Sequence, residues 1–311
     1  RINKKYMFVV RFAKLWLGIG LALMVASIVS IVTFGLELSV EFTGGSLVEF
    51  GLAGDPDVSE VRQAIEEETE IEIASFAAVE DGYLLRAGEI SQEEYDELVT
   101  DLSVYFDTEE ISKADVVEER RFSSIGPSIG SELARRAVLA IGVSLVAIIL
   151  YVSWIFRKIS YPLPSWTYGL ATLVALAHDI LIPTGIFAYL SYIGVTEINT
   201  LFVIAMLSIL GASVNDTIVT FDRIRDNVRE FGGADYPKII AKSISETWFR
   251  SLATSLTLLV VLGSVYVYSA ESIRFFSLAL FLGILFGTYS SLFIASPLLL
   301  VIHEVKNRKN T

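Results

Sequence analysis

The chain has 311 residues, of which 53% are hydrophobic, and a mean hydropathy of +0.58. That balance excludes an ordinary water-soluble enzyme, because apolar runs of ~20 residues need lipid or other helices around them. The formal net charge of −12 is unevenly spread, and the absence of cysteine excludes disulfides and thiolate metal sites.

In chain order, the first apolar run covers 15–36. It is too long for a signal-peptide core and no small-residue cleavage site follows, so it predicts an uncleaved anchor. Arg1 is not a usual first residue, so the natural chain is expected to begin earlier. Further spans are expected over 133–156, 166–192, 198–221, 251–268 and 275–302. The fold class is then a polytopic α-helical membrane protein with six transmembrane helices and an α+β domain between the first two. The expected domains are 1–36 (N-terminus and first span), 37–131 (α+β), 132–302 (remaining spans, with a cytoplasmic segment at about 222–250) and 303–311 (tail).

The 37–131 segment alternates strand and helix signals. Residues 46–52 read as a strand, and Asp57 to Glu60 as a capping box opening a helix to about Glu68. Residues 71–79 and 83–87 read as strands around an Asp81-Gly82 turn. Ser91 to Glu94 is a second capping box, for a helix to about Phe106, and 114–122 is a last strand. The order β-α-β-β-α-β is the split βαβ, ferredoxin-like arrangement. Its acidic helices suit a solvated face, or a face for a cation or polypeptide. Gly44-Gly45 and Gly126-Pro127…Gly130 bracket the segment, as tight connections or as hinges.

Charge sets the expected orientation. Arg1, Lys4, Lys5, Arg11 and Lys14 precede span one; Arg157 and Lys158 follow span two. Arg223, Arg225, Arg229, Lys238, Lys242 and Arg250 lie between spans four and five, and Lys306, Arg308 and Lys309 follow span six. Basic loops favour the cytoplasm, so both termini are expected inside and the acidic domain outside a cell membrane. Arg135 and Arg136 run against this and are expected to snorkel. The bases near Arg223 suit anionic lipid headgroups or a cytoplasmic partner. Ile240, Ile244 and Trp248 form a stripe expected to lie along the inner membrane face. Pro183 can kink span three, and Gly283, Gly287, Ser291 and Ala295 form a small-residue packing row in span six.

Asp216 lies inside an apolar run, and a charged side chain at that depth costs roughly 2.5–3.5 kcal/mol on insertion scales. Asp216 is 18 residues in from Ile198 and Arg250 18 residues in from Tyr268. At ~1.5 Å per residue both lie about 27 Å below the outer edge, and Asp179 about 20 Å below it. Opposite charges can therefore meet at one level, as a structural ion pair or as a proton-exchanging pair. In the second case the carboxylate titrates, because the guanidinium keeps its charge. Asn215, Thr217, Thr254 and Ser255 could line the route. His178 and Asp179 are further candidates, unless they only satisfy each other.

The segment from Ser213 to Arg225, SVNDTIVTFDRIR, resembles the signature of the SecF branch of the SecD/SecF family. Phe42-Thr43-Gly44-Gly45, Ile125 to Gly130 and Ala175 to Asp179 resemble its other motifs, in order along nearly the whole chain. Glu41 stands where the family usually has Asp. The resemblance implies kinship with RND transporters and half of a bundle completed by SecD. It implies association with the SecYEG channel and action on secretory polypeptides after SecA, driven by the proton gradient. It also implies that Asp216 and Arg250 carry the proton role.

No cofactor, metal site, nucleic-acid patch or enzymatic activity is expected. Three rivals stand beside this reading: an RND-type small-molecule exporter, a passive assembly subunit of the translocon, and an intramembrane aspartyl protease using Asp179 and Asp216.

Overall fold

A computed structural model describes residues 7–79, 82–106, 116–158, 162–232 and 235–309. Arg1, Lys4, Lys5, Asp81 and Ala114, used in the sequence reading, lie outside these. In chain order the elements are α1 (Met7–Arg11), α2 (Ala13–Phe34), α3 (Val40–Thr43), β1 (Gly45–Leu52), α4 (Val58–Glu68), β2 (Ile73–Val79), β3 (Gly82–Ala87), α5 (Gln92–Tyr105) and β4 (Val117–Ile125). Then come α6 (Pro127–Ile155), α7 (Ser165–Tyr192), α8 (Thr200–Phe231), α9 (Tyr236–Tyr268), α10 (Glu271–Ser290), a π-helical turn (Ser291–Ala295) and α11 (Ser296–Lys309). Two compact units result: Leu38–Ala137, and the helices of Arg1–Glu37 with Val138–Thr311.

The sheet unit is a four-stranded antiparallel sheet in the order β2-β3-β1-β4. That is the order a split βαβ requires, with β1 central because it can be buried on both faces. Val48, Phe50 and Leu85 from the sheet pack against Val61 and Ile65 of α4 and Leu98 and Leu102 of α5. The Ser91 cap closes fully: its hydroxyl accepts from the Glu94 amide at 3.2 Å, and the Glu94 carboxylate accepts from the Ser91 amide at 2.7 Å. The Ser91 amide, with the Ser91 hydroxyl, holds the Glu94 carboxyl below its ordinary range. The Asp57 cap differs from the box expected, because its carboxylate accepts from the Ser59 amide (2.9 Å) and hydroxyl. Burial, helped by Glu119, pushes the Tyr95 phenol up to about 12.

The two glycine motifs meet. A Cβ on Gly44 would stand 2.5 Å from the Pro127 Cα, and one on Gly130 2.7 Å from the Gly44 nitrogen. Gly44 and Gly45 also have φ of 77° and 111°, which favours glycine. The four positions thus form one close-packed clasp. Arg135 and Arg136 both pair with Glu132, at 2.9 and 2.7 Å, so their charge is answered within the chain.

Among the described residues, six helices are long and apolar enough to cross a membrane. α7 runs unbroken through Pro183. The span expected over 251–268 belongs to a helix that starts at Tyr236. This corrects the expected membrane-surface helix. Ile240 and Ile244 point into the bundle core with Tyr168, Phe221 and Leu299, and Trp248 packs edge-on against Phe293. Hydropathy reads how apolar a stretch is, not where a helix begins.

Candidate functional site

Where α8, α9 and α10 come together they leave a cleft of about 190 Å³. Asn215 and Asp216 line it from α8, Ser255 from α9, and Gly283, Gly287 and Thr288 from α10. The glycines open this space and bring the helices close: a Cβ on Gly283 would overlap Ile209, and one on Gly287 would sit 3.3 Å from the Ser213 Cβ. The small-residue row is therefore one wall of the cleft.

Asp216 is half-buried. Ser255 and the Arg250 guanidinium, both on α9, are the groups that act on its carboxylate, and no ion pair closes between Asp216 and Arg250. Arg250 is exposed on the chain's surface. Thr254 spends its hydroxyl on the Arg250 carbonyl, at 3.0 Å. The acid thus has one hydroxyl partner, and a permanent cation near enough to attract it. At contact that attraction is worth up to about 4 kcal/mol in a medium of effective dielectric ~20.

The structure divides the Asn215-Asp216-Thr217 triplet. Successive helical residues are ~100° apart, so three in a row cannot share a face. Asn215 and Asp216 face the cleft, while Thr217 is buried and meets the Ser291 hydroxyl at 3.2 Å in the π-helical turn. Thr217 therefore packs behind Asp216.

His178 and Asp179 sit one helical turn away, fully buried. His178 Nδ1 lies 2.9 Å from Asp179 Oδ1. Ser213 and Ser290 both donate to Asp179 Oδ2, the second at 2.8 Å. This knot joins α7, α8 and α10. Neither serine was singled out from sequence, because isolated serines in apolar spans carry no azimuth until the packing is known.

Beyond the cleft, α8 and α9 are stapled by charge. Arg223 reaches Glu246 at 2.6 Å and Asn227 donates to Glu246 at 2.9 Å, while within α8 Arg225 pairs with Asp222 at 2.5 Å. These bases are spent on partners within the chain, which weakens the reading of them as a lipid- or partner-binding cluster.

Sequence and structure comparisons agree with this architecture. The family model for "Protein export membrane protein SecD/SecF, C-terminal" matches residues 107–305, and that for the "SecD/SecF GG Motif" matches residues 29–53, which span Gly44 and Gly45. A protein translocase subunit SecF from Thermobaculum terrenum is 34% identical over 309 residues, covering 96% of this chain and 94% of the relative. One from Anaerolinea thermophila is 32% identical over 304 residues, covering 96% and 92%. The crystal structure of a Thermus SecDF, described as a translocon-associated membrane protein, superposes with a TM-score of 0.77 at 30% identity. It covers 94% of this chain, which spans only 38% of that longer chain. A SecDF in a super-membrane-facing form gives 0.65 at 30% identity, covering 96% and 38%. With a family model matched across most of its length and relatives aligned nearly end to end, the chain belongs to the SecD/SecF family of protein-export membrane proteins.

Proposed function

We infer that the chain is a SecF-type subunit that works with SecD at the SecYEG channel, promoting export of secretory polypeptides that SecA has started. Protons moving inward through the Asp216 cleft supply the energy, and no cofactor takes part. The observation that carries this reading is Asp216 itself: a carboxylate in an apolar span, held by Ser255 and unpaired but attracted by Arg250. An ionised Asp216 is drawn toward Arg250, while a protonated one is not. Proton binding can therefore change how α8 and α9 pack, and α9 carries exposed Phe249, Leu252, Leu256 and Val260 for a partner or lipid to cover. Asn215 lines the same cleft, and Thr217 supports Asp216 from behind. Both termini lie in the cytoplasm and the sheet unit on the outer side, as the basic loops favour. The clasp of Gly44, Gly45, Gly126, Pro127 and Gly130 moves with the sheet unit as a block.

The test is export of a secretory polypeptide into proton-loaded vesicles with Asp216→Asn and Arg250→Met, scored for complex assembly and for transport. Loss of proton-stimulated transport with assembly intact is expected. Full transport in Asp216→Asn would leave a passive assembly subunit, and proton-driven efflux of a small molecule without polypeptide would favour an RND-type exporter.

A further inference from the structure

The cleft does not use His178 and Asp179, yet both are ionisable and buried in the helical unit at 0% exposure. The hydroxyls of Ser213 and Ser290 donate to one carboxylate oxygen, and His178 Nδ1 lies against the other. Two hydroxyl donors on one oxygen suit an ionised acid, and facing an ionised acid the ring carries its proton on Nδ1. The other ring nitrogen, Nε2, is buried without a partner. Leaving such an atom unsatisfied costs about 1–3 kcal/mol, which calls for an explanation.

The surroundings of the ring supply none. On α2, Gly20 packs against Ile294 and the ring: a Cβ there would stand 2.6 Å from Ile294 Cδ1 and in ordinary contact, 3.7 Å, with His178 Cδ2. On α10, Phe286 and Tyr289 face the imidazole at 6.2 and 5.7 Å between ring centres. The Tyr289 hydroxyl is committed to the Trp16 carbonyl at 3.1 Å. The titratable groups facing the pair are thus Tyr289 from α10 and, beyond Ser213, Asp216 from α8. α2 has only Lys14, at its start, and the π-helical turn has none. Ser213 is the joint: its hydroxyl donates to Asp179 while its side chain lines the cleft that holds Asp216.

We propose that His178 and Asp179 form a second proton-binding site, connected to the Asp216 cleft through the Ser213 hydroxyl. This rests on Asp216 exchanging protons in the cleft. A proton taken up at Nε2 makes an imidazolium, and the Nδ1 proton then passes to Asp179 Oδ1. The ring is left neutral with its proton on Nε2, and the acid is neutral. Asp179 regains its charge when its carboxyl group turns to bring the acid's proton to the oxygen facing Ser213, Ser213 Oγ accepts it as its own hydroxyl proton passes to water in the cleft, and the ring then exchanges its N–H back to Nδ1. One proton enters and one leaves, with no change of oxidation state.

The sequence contains two histidines, His178 and His303. In a His303→Gln background, with 15N-histidine in this subunit alone, the complete complex in vesicles reports His178 by NMR. The Nε2 resonance is expected to move between acceptor and protonated values as the pH is varied. Export is expected to show a limb, up to about tenfold per pH unit for one proton, that flattens in His178→Asn. That variant keeps a donor near Nδ1 and lacks Nε2. An Nε2 signal that stays fixed across the range overturns the proposal, whatever the variant does. Asp216→Asn separates the two readings. Lost export there with a static His178 removes only this site, whereas normal export there removes the cleft reading.

Discussion

The two units solve opposite solvent problems. In the sheet unit Phe50, Leu85 and Leu98 are buried while the charged residues of α4 and α5 stay outside. In the helical unit the exterior is apolar, with Val143, Leu150, Val260 and Val261 exposed, and His178, Asp179, Ser213, Thr217 and Ser290 are inside. Burying a leucine in the first unit removes it from water, which stabilises the fold. Burying a leucine in the second only exchanges lipid for protein, so packing and hydrogen bonds hold those helices together. The same substitution should therefore act differently in the two places.

The largest expected effect is on the polar interior. Asp216→Asn should abolish proton-stimulated export while the complex still assembles, as read by vesicle transport and co-purification. Next, Leu85→Ala in the sheet core should destabilise that unit by about 2–5 kcal/mol. The outward-facing Leu150→Ala should change little, as read by hydrogen exchange in each unit. If both cost the same, the contrast between the units fails. Gly130→Ala drives a methyl into the Gly44 backbone and should cost about 1–3 kcal/mol, read as faster proteolysis of the sheet unit. Ser91→Ala removes a cap and should cost about 1 kcal/mol by the same measure.

The smallest effects are in pH dependence, and their signs differ. The Glu94 carboxyl is held low, so its contribution is present above the unfolded carboxylate value and fades as acid protonates the folded form. Tyr95 is held high, so its contribution is present below 10.0 and fades as pH rises toward about 12. Hydrogen-exchange protection in β1 and α5 should weaken at both extremes, and Tyr95→Phe should remove the alkaline limb.

Much of the molecule was legible before folding, because both periodicities survive translation into space. The strand order of the sheet unit followed from alternation and capping signals, and the six spans followed from apolar length. The start of α9 at Tyr236 did not, since a polar-rich first half hides a helix that buries Ile240 and Ile244. The closeness of Asp216 and Arg250 followed from counting depth. The separation of Thr217 from them was implicit in the helical angle. The serine knot on Asp179 needed three helices in place, which no local pattern encodes.

The π-helical turn at Ser291–Ala295 fits one residue more than a regular helix would place there. Below it, Leu299 and Leu300 turn inward to the core; above it, Gly283 and Gly287 turn toward α8. Rewinding this turn as regular α-helix with every residue kept would rotate everything after it by about 100°. The two leucines would swing out of the core while the glycines stayed put, so the sixth crossing is two differently aimed rods joined by a wedge one residue thick.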